Sequence, residues 1–474
     1  VGEFYVKSGN TISPKFTIGN AYKGTADHLL KYMRQQRCGY NPFLKDSCHL
    51  ADGYTMYGPM PDSTHLDVTG GWHDASDYLQ YVATSVNATY NMLFAFRKNP
   101  QVFTDKFQAN GLEGKNGIPD ILDEANWGLE WMLKMHPRDN WMFNQIADDR
   151  DHSGYRLPNK DSTSYGKGLE RPVYFCSGEV QGLFGNLNRA TGTASTAGKF
   201  ASAFAIGSVI YRDKDPSYTE LLISKAISAY KFGLNNPGVS QTAPGTSPYF
   251  YEEDNWHDDM ELAAAALYNN SKDDQYLEEA LKFSKEEKVT PWLEADTARH
   301  YQWYPFINLG HYELASNLDG DKRQELIEYY QRGIEAVWKK AKTNGFLRGV
   351  PFIWCSNNLT ASFATQCYLY RKLSGDNQYK ELEAATIDWL FGCNPWGTSM
   401  IIGLPNNGVY PRNPHSSLTV LHDYPLDGGL VDGPVNGNIY NGLIGITLYD
   451  DDEFEEFQSN VAVYHDDAGD YSTN

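Results

Sequence analysis

The sharpest chemical pattern in the chain is Gly70-Gly71-Trp72-His73-Asp74-Ala75-Ser76-Asp77-Tyr78. Two aspartates three residues apart point the same way if a helix starts here. A carboxylate pair can then hold one water by two hydrogen bonds and take its proton as it attacks. The paired glycines let the backbone turn tightly or approach a ligand. On spacing alone the commoner outcome is a helix cap, in which Asp74 or Asp77 satisfies free amides of the first turn. A second group, Cys38, Cys48, His49 and His73, offers two thiolates and two imidazoles, the ligand set of a closed tetrahedral zinc site. The spacing is not that of a zinc finger, and a buried pair of free cysteines beside unrelated histidines fits the same residues. His65 is a rival for the fourth ligand. Asp254, Asp258, Asp259 and Glu261 form an oxygen-rich group suited to calcium, and equally to an acidic, solvated helix start.

Aromatic residues are in excess, with 33 Tyr, 22 Phe and 11 Trp making 14% of the chain. A flat ring is a low-entropy surface for the C–H face of a sugar, although large helical proteins bury many aromatics without any such role. Trp256, Trp303, Tyr301 and Trp354 fall in loops or at loop edges and are candidate platforms, each also a candidate for core packing. Trp127 and Trp131, four apart, read as core. The formal net charge of -20 comes without a basic cluster, which argues against nucleic acid as a partner, since that affinity rests on Lys and Arg neutralising phosphates. An acidic surface suits a neutral substrate. No apolar run approaches the ~18 residues of a membrane span. Six cysteines at 38, 48, 176, 355, 367 and 393 show no disulfide framework, and the last four read as helix or helix ends.

What must position these groups is mostly helix. Apolar residues at three- and four-residue spacing predict helices over 26–36, 76–96, 119–135, 194–211, 218–232, 259–269, 275–284, 322–342, 358–373 and 379–390. Segments 139–172, 235–256 and 395–438 read as long loops, and loops of such length in a compact domain are usually functional. About a dozen helices joined by loops of this kind predict an all-α toroid rather than a short-loop bundle, with no internal domain boundary.

The glycine-rich block resembles the Gly-Gly-Trp-(Tyr/His)-Asp-Ala-Gly-Asp signature of glycoside hydrolase family 9, with Ser76 in place of the usual glycine. Further matches follow in order: Gly117-Ile118-Pro119-Asp120-Ile121-Leu122-Asp123-Glu124, Arg189-Ala190-Thr191-Gly192-Thr193-Ala194-Ser195-Thr196-Ala197, Ser356-Asn357-Asn358 and Leu390-Phe391-Gly392-Cys393-Asn394-Pro395. The resemblance implies an (α/α)6 toroid whose loops form an open substrate cleft, and an inverting endo-β-1,4-glucanase of the cellulase type. It makes Asp77 the general base and Asp74 the residue that helps hold the water. Asn413-Pro414-His415-Ser416-Ser417 resembles the family's Pro-His-x-Arg segment, which makes His415 a sugar contact. Ser417 replaces the arginine, and Arg412 is a candidate to reach in from the other side. No catalytic cofactor is implied. A subgroup of the family carries a structural zinc on residues matching Cys38, Cys48, His49 and His73, often behind an N-terminal immunoglobulin-like module that this chain does not contain.

The last nine residues, Asp466 to Asn474, resemble the family's Asp-Tyr-x-x-Asn-Glu signature, whose Glu is the general acid and would follow Asn474. The expected organisation is therefore a linker remnant over 1–20 and a catalytic domain over 21–474 that stops just before the acid. The expected partner is a β-glucan polysaccharide or oligosaccharide, and the expected location is secreted, periplasmic or cell-surface. Rival readings are a xyloglucan-preferring or exo-acting hydrolase of the same fold, or a glycan-binding protein without turnover if the chain truly ends at Asn474.

Overall fold

The computed structural model describes residues 2–13, 15–20, 22–247, 251–295, 297–299, 301–406, 408–442 and 447–474. Its principal helices are α1 (Thr25–Gln35), α2 (Val82–Lys98), α3 (Asp120–Met135), α4 (Ala194–Tyr211), α5 (Pro216–Asn235), α6 (His257–Ser271), α7 (Asp274–Glu287), α8 (Pro291–Ala295), α9 (Leu309–Ala315), α10 (Gly320–Ala341), α11 (Ser356–Ser374) and α12 (Lys380–Leu390). Burial divides them. α4 is small or apolar on every side and buried nearly throughout, and a helix without a polar face belongs inside. α7 and α10 instead carry charged outer faces and bury one stripe. Accordingly α2, α4, α6, α9 and α11 pack in succession as an inner ring, while α3, α5, α7, α10 and α12 lie against them outside, and α1 packs on α3. This inner-and-outer alternation is that of the expected (α/α)6 toroid, five of whose helix pairs are formed by these helices.

Close approach in the inner ring is set by small residues. A Cβ on Gly198 of α4 would meet the backbone of Asp259 in α6 at 2.7 Å, so only glycine lets these two helices touch there.

The expected helices agree in place, and most ends move by one to four residues. The exception matters. The helix expected from residue 76 begins only at Val82, so Asp74 and Asp77 lie in an irregular loop and owe their proximity to tertiary contacts, not to helical phase. The segment 139–172 is likewise no bare loop. Phe143–Ile146 forms the third strand of a four-stranded sheet ordered Tyr54–Met56, Pro172–Phe175, Phe143–Ile146 and Gln80–Tyr81. The first pair is parallel and the other two are antiparallel. Cys176 therefore follows a strand, not a helix. The short helices α8 and α9 lacked enough length to show a period in sequence.

The turn that opens the aspartate loop is fixed by glycine. Gly71 has φ +70°, and a Cβ there would meet the Trp131 indole at 2.7 Å and the Gln80 amide nitrogen at 2.9 Å. Gly71→Ala is expected to destabilise the protein by about 2–3 kcal/mol through left-handed strain plus overpacking, read as a lower midpoint in urea. An unchanged midpoint would mean that Trp131 yields freely.

Candidate active site

The aspartate loop is held from behind by buried polar pairs. The Arg37 guanidinium and Glu124 of α3, each only 1% exposed, meet at 2.7 Å. Glu124 also accepts from the Trp72 indole at 2.8 Å, and Trp127 and Trp131 donate to the carbonyls of Gly71 and Val68. The two tryptophans assigned to the core thus also brace the loop, Trp131 fully buried and Trp127 partly so. On the other side Arg171, 1% exposed, forks onto Asp52 at 2.6 and 2.9 Å. It also donates to Gln80 at 2.8 Å and to the Tyr78 carbonyl. Asp151 accepts from the Tyr78 amide at 2.7 Å.

The two carboxylates held in this way differ. Asp74 accepts from the Thr84 hydroxyl at 2.8 Å and from the Tyr251 hydroxyl, so both its oxygens are engaged. Asp77 has one oxygen 2.8 Å from His152 Nε2, while its Oδ1 is buried and accepts no hydrogen bond among the described residues. Burial, and then the neighbouring Asp77 charge, push the Asp74 carboxyl up to about 7 against its two hydroxyl donors. Burial opposes protonation of His152, but the hydrogen bond and charge of Asp77, with Asp151 and Asp149 behind it, raise its pKa above the ordinary value. The pair therefore presents one engaged carboxyl and one carboxylate with a free proton-accepting oxygen.

Other expected residues gather around this loop, with partners that had no spacing signal in sequence. The Tyr251 ring lies 4.2 Å from that of Tyr301, which places Tyr301 one residue from Asp74. The His415 Nδ1 lies 2.7 Å from the Tyr155 hydroxyl and 2.5 Å from the Ala468 carbonyl, and its ring meets Tyr471 edge-on at 4.9 Å. Trp354 lies 6.3 Å from the same Tyr471. The Ser76 amide donates to the Asn474 side chain at 3.3 Å, which joins the aspartate loop to the C-terminal turn. Trp256 instead lies on His257 and against Phe283 of α7, and Trp303 packs on the helical core. Neither has a described contact with the groups around Asp74. Arg412 stacks on Tyr410 at 4.1 Å rather than replacing the arginine missing at Ser417, and Ser417 accepts from the Arg156 amide.

The profile of glycosyl hydrolase family 9 matches residues 22–474. The chain belongs to glycosyl hydrolase family 9. It is 25% identical to a cellodextrinase of Butyrivibrio fibrisolvens over 461 residues, 92% of this chain and 79% of that one. It is 26% identical to endoglucanase D of Acetivibrio thermocellus over 432 residues, 86% of this chain but only 62% of the relative. Among solved structures it superposes on a metagenome-derived family 9 endoglucanase with a TM-score of 0.76 at 25% identity, covering 98% of this chain and 80% of the other. A zinc-binding triple mutant of the family 9 endoglucanase J30 gives 0.77 at 23% identity, covering 100% and 85%.

In this family 9 chain the donor atoms of Cys38, Cys48, His49 and His73 all lie within 4.8 Å of one another. Cys38 Sγ is 3.6 Å from His49 Nδ1, Cys48 Sγ is 3.8 Å from His73 Nε2, and the two imidazole nitrogens are 3.4 Å apart. A tetrahedron with metal–sulfur bonds of ~2.3 Å and metal–nitrogen bonds of ~2.0–2.1 Å has edges of roughly 3.3–3.8 Å, so the donor set fits a four-coordinate metal. The other nitrogen of His49 meets Asp161 at 3.1 Å, the outer carboxylate that orients a ligating imidazole. His65, the rival ligand, is exposed and pairs with Glu170. All six cysteines are free thiols.

The calcium expectation is corrected by what three of the four carboxylates already hold. The buried Lys199 ammonium lies 2.7 Å from Asp259 and 2.5 Å from Glu253. Glu261 is engaged by His311 at 2.7 Å and by Asn308 at 2.8 Å, and Asp254 bonds Gln302. Donors of the chain itself thus hold Asp254, Asp259 and Glu261, Asp258 keeps a buried Oδ1 with no hydrogen-bond partner among the described residues, and the four do not form a metal-ligand group there.

Two outcomes follow from this geometry. Because the folded Asp74 carboxyl is raised from 3.8 to about 7, its contribution to stability is full below the unfolded pKa and is lost as pH rises through 7. Comparing unfolding at pH 5 and pH 8, Asp74→Asn is expected to remove about 1–2 kcal/mol of that fall, allowing for partial exposure. An identical fall in both proteins would refute the raised carboxyl. For the metal cluster, Asp161→Asn is expected to weaken metal uptake about 10–100-fold in a competition titration with a chromogenic chelator, and equal affinity would remove Asp161 from the site.

Proposed function

We propose that this chain hydrolyses internal β-1,4-glucosidic bonds of a cellulose-type glucan with inversion of anomeric configuration. The observation that carries the reading is the asymmetry of the pair, Asp74 engaged on both oxygens and Asp77 with one free. An attacking water held between them would lose its proton to Asp77, with Asp74 fixing its direction and His152 fixing Asp77. An inverting enzyme also needs an acid roughly 6.5–9.5 Å from the base to protonate the departing oxygen. By resemblance that acid follows Asn474, and the contact of Asn474 with the Ser76 amide supports this by bringing the C-terminal turn to the base loop. Tyr301, Trp354 and Tyr471 offer ring surfaces for the sugars, and His415 a polar contact beside them.

The cellodextrinase and endoglucanase relatives support a β-1,4-glucan as substrate. The cellodextrinase also favours a second reading, action on short oligosaccharides or from chain ends, which the lengths of the first products distinguish. A polymeric substrate of this kind supports a proposed location outside the cytoplasm, secreted, periplasmic or at the cell surface. In the Cys38, Cys48, His49, His73 cluster the metal would be zinc in a structural role, since four protein ligands leave no open position for water and Asp77 needs none to act as a base.

The test is product release from a soluble β-1,4-glucan, with the anomer of the first product read by NMR. The chain carrying Glu after Asn474 is expected to release the α-anomer, and Asp77→Ala in that chain to lose about 10²–10⁴-fold or more in rate. A β-anomer, or full activity in Asp77→Ala, would sink the assignment of the base.

A further inference from the structure

Tyr301 lies in the field of two carboxyls, Asp74 on the base loop and Asp432. The backbone around Asp432 is clamped on both sides. Its amide donates to the Asn474 carbonyl at 3.1 Å, its carbonyl accepts from the Asn357 amide at 3.0 Å, and the Gly433 amide reaches Ser472 at 2.9 Å. The start of α11 reinforces this, since Asn357 donates to the Val431 carbonyl and Ser356 to that of Pro434. Gly433 has φ +99°, and a Cβ there would meet the Asn357 side chain at 2.4 Å. Asp432 thus sits rigidly between the first turn of α11 and the C-terminal turn that carries Tyr471 and Asn474.

Its side chain is only half used. Oδ2 accepts from the Cys355 amide at 2.8 Å, while Oδ1 has no hydrogen-bond partner among the described residues and the side chain is half-buried. No cation faces it among the described residues. The ionisable groups around it are the Cys355 thiol, the Tyr301 phenol and Asp470, which is itself bound to His465. Burial, with the Asp470 charge adding to it, pushes the Asp432 carboxyl up to about 7 against the pull of the Cys355 amide. A carboxyl held without a counter-ion and with one oxygen unclaimed costs stability unless something uses it.

We propose that Asp432 is a substrate-contacting residue of the cleft, its Oδ1 taking a hydroxyl of the glucosyl unit bound between Tyr301, Trp354 and the Asp74–Asp77 loop. The inference rests on the glucan reading above and names one further group that holds the sugar. A hydroxyl donating to a carboxylate is among the stronger uncharged-to-charged contacts, whereas a mere cap for the Cys355 amide would need only one oxygen of any amide or acid.

Asp432→Asn separates the two roles, because it keeps an oxygen for the Cys355 amide and changes the group that faces the cleft. The variant is expected to unfold at the parent's temperature and to bind cellotetraose about tenfold more weakly by calorimetry. Asp432→Glu, which keeps the charge but displaces the free oxygen, is expected to lose a similar factor and serves if the Asn variant folds poorly. Parent-like affinity in both variants would leave Asp432 a structural cap and overturn this inference alone. A folded parent that binds no cello-oligosaccharide would overturn the glucan reading together with it.

Discussion

The guanidinium of Arg171 is the contact on which the rest of the site depends. It is buried at 1% exposure, it is neutralised by the equally buried Asp52, and it distributes its remaining donors to the Tyr78 carbonyl and the Gln80 side chain, with the Cys38 sulfur at 3.6 Å. One planar fork with five donors therefore ties the metal-ligand cluster, the loop that bears Asp74 and Asp77, and the strand Pro172–Phe175 into a single unit. Breaking a buried pair of this kind leaves an uncompensated charge and costs about 3–5 kcal/mol, so the loop cannot move far while Arg171 is in place.

That rigidity has a chemical consequence. A carboxylate pair works as a water-holding base only if each member keeps its own environment, and here the environments diverge: two hydroxyl donors and partial burial for Asp74, a histidine and a free oxygen for Asp77. The same loop is reached from a third direction through His49, whose outer nitrogen meets Asp161. Asp161 then meets Arg156, which meets Asp151 at 2.6 Å, and Asp151 holds the Tyr78 amide. The metal-ligand cluster and the aspartate loop share one polar scaffold.

Much of this was legible from sequence where the signal was periodic or carried by a motif. The helices follow from apolar spacing, while the place of α4 in the inner ring emerged with its burial in the fold. The Gly70–Gly71 turn follows from residue type, and the motif around Glu124 turns out to be a brace: Glu124 receives Arg37 and Trp72, while Asp120 receives the Lys106 and Phe107 amides. Tyr155, His152, Tyr251 and Asp432 were not legible, because each stands alone in a long loop whose path no local pattern specifies. Aromatic count was a poor guide to place, since Trp256 packs against α7 while Tyr471, less conspicuous in sequence, meets His415 and Trp354.

By itself the sequence determined the all-α toroid, the family, the aspartate pair and the Cys38, Cys48, His49 part of the metal-ligand cluster, because each is a matter of residue type, order or helical period. Only the tertiary structure decided which carboxylate of the pair is left with a free oxygen, which histidine completes the metal set, and that Lys199 and His311 engage Asp259 and Glu261 of the supposed calcium group. The reason is that these outcomes rest on partners tens to hundreds of residues away, and hydrogen-bond competition and burial at such range exist only once the rings have closed.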